Sequence, residues 1–337
     1  VPTNRRFTLV RRPIGTPVAE DFALISEATA ELAEGQFLVR NHYASLDPAM
    51  RGWMDDKPSY IPPIRLGDPI RASTLGVIAD SRNPDFPVGA GASGLGGIEE
   101  YTLHQRGSGR LIDPDALPSV TNYLSVAGGV GVGPTAYFAL LDVGKPQAGE
   151  TVLVSGAAGG VGSLVGQIAK MKGCRTIGIA GGPAKCERLL RDYGYDVAID
   201  YRGKSQEQLI AAIREAAPDG VDIQFENVGG VILDAGLMCL NRKARVVLCG
   251  LISQYNTEPA PVNNIWQLIV QGAKIEGFIM THYISRMAEA VPQLTAWIRN
   301  GQLRIDEHIE EGIENALPAF LRLFSGGNDG KMILKLA

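Results

Sequence analysis

Cysteine is scarce, and none of Cys174, Cys186, Cys239 and Cys249 belongs to a C-x-x-C pair. A four-cysteine structural zinc loop is excluded, and a disulfide framework has no support. Small apolar roles in a reduced compartment are expected instead. Histidine is equally sparse. His42, His104, His282 and His308 lie far apart with no metal-ligand spacing, so surface placement or local hydrogen bonding is expected of them. No apolar run approaches the roughly 20 residues of a helical membrane span. The opening VPTNRRFTLVRRP lacks the apolar core of a signal peptide. It begins at Val1, so loss of an initiator Met is expected. With neither signal peptide nor membrane span legible, a cytoplasmic location is expected. Positive charge is not in excess either: Lys+Arg total 32 against Asp+Glu 36, a formal net charge of −4. That balance argues against nucleic acid or an anionic membrane as partner. Repeats and low-complexity tracts are also lacking.

What is present is an ordinary globular composition, 45% apolar and 20% charged over 337 residues, enough for about two domains of roughly 100–200 residues. Residues 1 to about 125 carry short β-like runs, Gln36–Tyr43 and Leu75–Asp80. Segments rich in Pro and Gly, Tyr60-Ile-Pro-Pro-Ile and Gly89–Gly97, interrupt them and read as turns. From about residue 126 strand and helix alternate. Strands are expected at Thr151–Ser155, Arg175–Ala180, Asp196–Ile199, Val221–Glu226, Ala244–Gly250 and Lys274–Met280. Helices are expected at Leu164–Met171, Ala184–Tyr193, Gln206–Ala216 and Ile284–Asn300. Such alternation predicts a parallel sheet covered on both faces. A tail helix, Ile313–Leu323, and a last strand, Lys331–Leu336, should return to the first domain. The fold class expected is α/β, a β-rich domain of residues 1–125 with 305–337 and a doubly wound Rossmann domain of residues 126–304.

The strongest local signal is Ser155-Gly-Ala-Ala-Gly-Gly-Val-Gly-Ser163, after an apolar strand and before a helix. A dinucleotide turn needs small residues so that backbone can approach a pyrophosphate at the helix N-terminus. Ala157, Gly159 and Gly162 fit A-x-G-x-x-G, with Ala in place of the first Gly, and Gly160 and Val161 lie between them. NAD sites place a carboxylate about 20 residues further on. Here Ala180, Gly181 and Gly182 carry none, which leaves room for a 2′-phosphate. Lys185 is placed to meet that phosphate and Tyr201 to hydrogen-bond it, so NADPH is favoured over NADH.

Further tags run through the chain: Asp47-Pro-Ala-Met-Arg-Gly52, Ser59-Tyr-Ile-Pro-Pro63, Gly166-Gln-Ile-Ala-Lys170, Glu226-Asn-Val-Gly-Gly230, Cys249-Gly-Leu-Ile-Ser-Gln-Tyr-Asn256 and Asn328-Asp-Gly-Lys-Met332. In order and spacing the sequence resembles, nearly end to end, the zinc-independent medium-chain reductases that include leukotriene B4 12-hydroxydehydrogenase/prostaglandin reductase, alkenal double-bond reductases and curcumin reductase. The resemblance implies a GroES-like first domain, a Rossmann second domain, NADPH, and 1,4-reduction of α,β-unsaturated aldehydes or ketones. It implies that Lys185 and Tyr201 hold the 2′-phosphate and that Asn227 lies near the cofactor. It also implies that Asn328 reaches the cofactor from the tail and that Tyr255 sits beside the substrate carbonyl. Cys249 and Phe278 complete the candidate cofactor contacts. One departure is Gly97-Ile98-Glu99-Glu100-Tyr101, where the family often has Trp before Glu-Tyr; it bears on substrate shape.

Zinc-dependent relatives use a Cys near residue 45 and a Gly-His-Glu soon after. This chain has Ala44-Ser45-Leu46-Asp47 and Gly67-Asp68-Pro69, so no metal is expected. Without that Lewis acid, conjugate reduction is easier to support than reduction of the carbonyl itself. Tyr255 is the candidate donor to the developing enolate, with a loop tyrosine lining the cofactor site as the plainer reading. Tyr60 is a second candidate, or a pocket wall. Tyr43 and Tyr283 are expected to pack, Asp55-Asp56 to form a solvated turn, and Asp47 with Arg51 to be structural. Two other functions stay open: a quinone reductase of the same superfamily and a catalytically silent NADPH-binding protein. The apolar edge strand Lys274–Met280 predicts a homodimer.

Overall fold

The computed structural model describes residues 2–128 and 131–336. The chain divides into two compact units, Val1–Gly131 with Glu307–Ala337, and Val132–Asp306. In the first unit β1 (Thr3–Leu9) pairs antiparallel with β2 (Phe22–Ala28). Five more strands follow: β3 (Phe37–Ser45), β4 (Arg71–Ser81), β5 (Gly91–Gly97), β6 (Tyr101–His104) and β7 (Arg110–Leu111). The turn expected over Gly89–Gly97 is therefore mostly a strand, β5, paired with β4 and β7. Side chains of neighbouring segments occupy the space where its own would stand. A methyl on Gly94 would lie 2.6 Å from His104 Cε1, and one on Gly96 2.5 Å from Thr102 Oγ1. Glycine here makes room for neighbours rather than bending the chain.

The second unit holds β8 (Thr151–Ser155), β9 (Arg175–Ala180), β10 (Val197–Asp200), β11 (Val221–Glu226), β12 (Leu240–Leu248) and β13 (Lys274–Gly277). All pair parallel, in the order β10-β9-β8-β11-β12-β13. Numbered from β8, that is 3-2-1-4-5-6, the Rossmann order. Leu153, Ile177 and Ile179 face the helices Gln206–Ala216 and Gly230–Leu237. The opposite pleat carries Gly178, where a methyl would meet Leu189 of the helix Pro183–Asp192. Both faces are thus covered. The helix over Gln206–Ala216 has the bounds expected of it, and its start is fixed by a capping box of Ser205 and Gln208. Met280–Arg286 is 3-10, so the helix expected from Ile284 starts at Met287.

The chain then re-enters the first unit with β14 (Glu307–Glu311) and β15 (Lys331–Lys335). They extend its large sheet to β14-β15-β3-β4-β5-β7, with β6 also on β3. Beneath lies a core of Leu9, Leu46, Met50, Met54, Phe320 and Leu334, among others. Asp47 does not pair with Arg51. It accepts from the buried Lys331 Nζ at 2.6 Å, while Arg51 Nη1 donates to Asp55 at 2.7 Å and the same guanidinium reaches the Pro13 and Gly15 carbonyls. These pairs staple the tail and the N-terminal segment to the loop after β3.

Candidate dinucleotide and catalytic site

β8 is buried throughout and delivers the chain to Gly156, which turns with φ +58. Ala157 N–H donates to Ile179 O at 3.0 Å, tying the turn to β9. The alanine that replaces the first motif glycine fits because Gly178 leaves space for it: a methyl on Gly178 would stand 2.9 Å from Ala157 Cβ. The helix begins at Gly160, inside the motif rather than at Leu164. A methyl on Gly162 would lie 2.4 Å from Gly156 O and 2.7 Å from Ala157 Cα, so only glycine lets the first turn close onto the strand end. Gly159, Gly160 and Val161 are half-exposed, whereas Gly162 through Ala169 are buried without a break. No side chain caps this helix. Its first-turn N–H groups, which an α-helix leaves without intrahelical acceptors, suit an anion. A dinucleotide pyrophosphate fits that cradle.

Three residues that sequence reasoning assigned no role brace the turn. Tyr195, fully buried, donates its hydroxyl to Gly162 O at 2.7 Å, and its ring fills the space over Gly166. Glu226, at the end of β11, has no exposed surface. Its Oε1 accepts from Ser155 Oγ at 2.6 Å and from the N–H groups of Val228 and Gly229 at 2.8 Å, and its Oε2 accepts from Gln224. Burial raises its pKa, opposed by these hydrogen bonds. Ser155 Oγ in turn accepts from Asn227 N–H at 2.8 Å. Asn227 therefore lies at the strand ends as expected, but its side chain is a staple: Nδ2 donates to Ser155 O at 2.7 Å. Glu226 stood in a quoted tag, yet a clasp between strands distant in sequence leaves no local pattern.

At the end of β9 lie Gly181 and Gly182. A methyl on Gly181 would meet the Tyr201 ring at 3.0 Å, so Tyr201 and this glycine adjoin. Tyr201 is 39% exposed. Lys185, half-buried, stands in the first turn of the helix Pro183–Asp192. At the end of β12 the chain passes through Cys249 and Gly250, whose N–H groups both donate to Glu226 O. Burial pushes the Cys249 thiol up to about 12, so it is a neutral, soft wall and no nucleophile. Tyr255 follows a single 3-10 turn. Its hydroxyl oxygen accepts from Leu251 N–H at 3.2 Å and would lie 3.2 Å from a methyl on Gly250. Phe278 is buried just after β13, with its ring 5.0 Å from that of Tyr283.

Tyr60 and Asn328 belong to the first unit. The Tyr60 hydroxyl accepts from Trp53 Nε1 at 2.9 Å. Asn328 is buried and donates from Nδ2 to Gly330 O at 2.8 Å. Among the described residues no group of His, Cys, Asp and Glu is arranged to hold a metal ion. Burial pushes the thiols of Cys174 and Cys239 up to about 11, which disfavours the thiolate a zinc site needs. No helix among these residues is long and apolar enough to cross a membrane.

Residues 5–110 match a family described as the N-terminal domain of oxidoreductase, and residues 160–297 one described as zinc-binding dehydrogenase. The NADPH-dependent curcumin reductase of Escherichia coli is 39% identical, covering 99% of this chain and 97% of its own. The NADP-dependent 2-alkenal reductase of Nicotiana tabacum is 35% identical, covering 99% and 98%. The crystal structure of CurA from Vibrio vulnificus in complex with NADPH superposes with a TM-score of 0.92 at 38% identity, over 99% of both chains. On matches of this length and identity, the chain belongs to the zinc-independent medium-chain dehydrogenase/reductase family.

Proposed function

We propose that this NADPH-dependent oxidoreductase reduces the C=C bond of α,β-unsaturated aldehydes or ketones. The observation that carries the reading is the Tyr255 hydroxyl, held by Leu251 N–H at the carboxyl end of β12, where ligands of open α/β sheets bind. NADPH, when bound, supplies the hydride that adds to the β-carbon of the substrate. The Gly159–Gly162 turn holds the pyrophosphate, and Lys185 with Tyr201 the 2′-phosphate. As the π bond of the C=C opens, charge collects on the carbonyl oxygen, and the Tyr255 O–H donates to it there. The oxygen of that phenol already accepts from a backbone N–H, which fixes its direction before charge develops. A proton taken up from solvent then adds to the α-carbon as the enolate pair returns to restore the carbonyl. Relatives named for curcumin, prostaglandin and 2-alkenal support the substrate class.

The test is NADPH oxidation over enals, enones and quinones, with product analysis, for the wild type and Tyr255→Phe. Saturated aldehydes or ketones are the expected products. Tyr255→Phe should lower kcat by about 10- to 1,000-fold, in line with losing one oxyanion donor or less, and leave the Kd for NADPH within about twofold. Allylic alcohols, turnover of quinones alone, or an unchanged kcat in the variant would each sink the reading.

The same reading includes a homodimer. Among the described residues β13 pairs with β12 alone and is the sheet edge. Beside it the helix Trp266–Gln271 leaves Trp266, Ile269 and Val270 exposed at 63%, 69% and 54%, an apolar patch of the kind that marks an interface. An antiparallel pairing of two β13 strands about Ile275 would set Lys274 of each copy opposite Glu276 of the other. A monomer in sedimentation at micromolar concentration would refute it.

A further inference from the structure

We propose that Arg202 is a specificity-determining residue for the 2′-phosphate of NADPH, acting beside Lys185. The proposal rests on the NADPH reading and adds a residue to it. Asp200 ends β10 with its carboxylate turned to the shelf Gly181–Gly182. Its Oδ1 accepts from Gly182 N–H at 2.8 Å and Arg202 N–H at 3.0 Å. This anion stands at the edge of the space that the absence of a carboxylate at residues 180–182 was expected to open. Lys185 and Asp200 together bring no net charge, and a phosphate with a charge near −2 gains little from a neutral shelf.

Arg202 changes that balance. Its backbone N–H is fixed by Asp200, and its side chain folds back over the glycines. A methyl on Gly181 would stand 3.2 Å from Arg202 Nε, and one on Gly182 3.4 Å from its Nη1. The guanidinium thus lies against the shelf while staying open to solvent, where a ligand can reach it. Among the described residues it makes no hydrogen bond or ion pair. A planar fork with its donors uncommitted, beside the Tyr201 hydroxyl, matches phosphate oxygens. A side chain at 181 would press on both Tyr201 and Arg202, and residue 182 turns with φ +95, which favours glycine; together these account for two successive glycines.

The test is binding, free of turnover. Titration calorimetry with 2′,5′-ADP and with 5′-AMP isolates the extra phosphate, on the wild type, Arg202→Met and Arg202→Lys. The wild type should prefer 2′,5′-ADP. Arg202→Met should weaken 2′,5′-ADP by about 5- to 30-fold, the range for a charged hydrogen bond at an exposed site, and leave 5′-AMP within about twofold. Arg202→Lys should recover part of the loss. If Arg202→Met binds 2′,5′-ADP like the wild type, or loses both ligands equally, the proposal is overturned while the NADPH reading stands. If the wild type itself binds both ligands equally, the NADPH reading fails and this proposal with it.

Discussion

Two glycine-rich segments of this chain look alike in sequence and do opposite work. Gly156–Gly162 is a turn whose glycines let backbone close on backbone, with φ +58 at Gly156 and Gly156 O only 2.4 Å from where a Gly162 methyl would be. Gly91–Gly97 is an extended strand whose glycines leave room for the side chains of Ile112, His104, Thr102 and Pro69. The first segment gathers N–H groups at a helix start, where an anion can sit; the second spends its N–H groups on a sheet ladder. Glycine content reports only that something comes close. What comes close separates a ligand site from a packing site.

The comparison can be broken most severely at Gly162. Gly162→Ala drives a methyl into backbone that cannot yield, so the cradle must open and lose at least two charged hydrogen bonds to the pyrophosphate. NADPH affinity, read by quenching of intrinsic fluorescence, should fall by more than about 100-fold. Retained affinity would mean that the phosphates bind elsewhere. Next in size is Lys185→Ala, which leaves the turn intact. It should weaken NADPH by about 10- to 150-fold, the span of one charged hydrogen bond, with NADH little affected. Equal loss for both cofactors would remove the 2′-phosphate from that corner.

On the strand side the effects should appear in stability and spare the cofactor. His104 stacks on Phe37 beneath Gly94, and burial lowers its pKa to about 4. The unfolded chain takes up that proton near pH 6.5, the folded one only near pH 4. Between those values the unfolded state binds more protons, so stability is full above pH 6.5 and drains away as pH falls. The loss should approach about 3 kcal/mol at pH 4. Denaturant titrations of wild type and His104→Gln across that window should differ in slope; parallel curves would show that His104 titrates normally. The smallest effect is expected from Gly96→Ala. Its methyl meets Thr102, whose hydroxyl is engaged by Asn41 and Glu99. The cost should be about 1–3 kcal/mol, as for other overpacked cores, with NADPH affinity within about twofold. A drop in affinity instead would place this strand in ligand binding.

Much of the second unit was legible because its signals are local. Thr151–Ser155, Gln206–Ala216 and Val221–Glu226 fall where the alternation of short apolar strands with helices places them. The turn proposed for the dinucleotide was legible for the same reason, since strand, small residues and helix start are contiguous. The first unit hid more. A strand with four glycines among its seven residues, Gly91–Gly97, offers no apolar alternation to read. Asp47 stands four residues from Arg51, the spacing of a helical pair, yet its partner is Lys331 in the returning tail.

By itself the sequence determined the strand–helix rhythm, the parallel sheet that follows from it, the glycine turn between β8 and its helix, and the family to which those motifs belong. These rest on periodicity and contiguous chemistry, which a chain carries whatever its surroundings. Only the tertiary structure decided which polar groups meet. Glu226 clasps Ser155 and the 228–229 loop, Tyr195 braces Gly162, and Arg202 lies over the Gly181–Gly182 shelf. Such contacts form because parallel strands bring together carboxyl ends that are far apart along the chain. Burial then leaves each polar group no partner but the one the fold supplies.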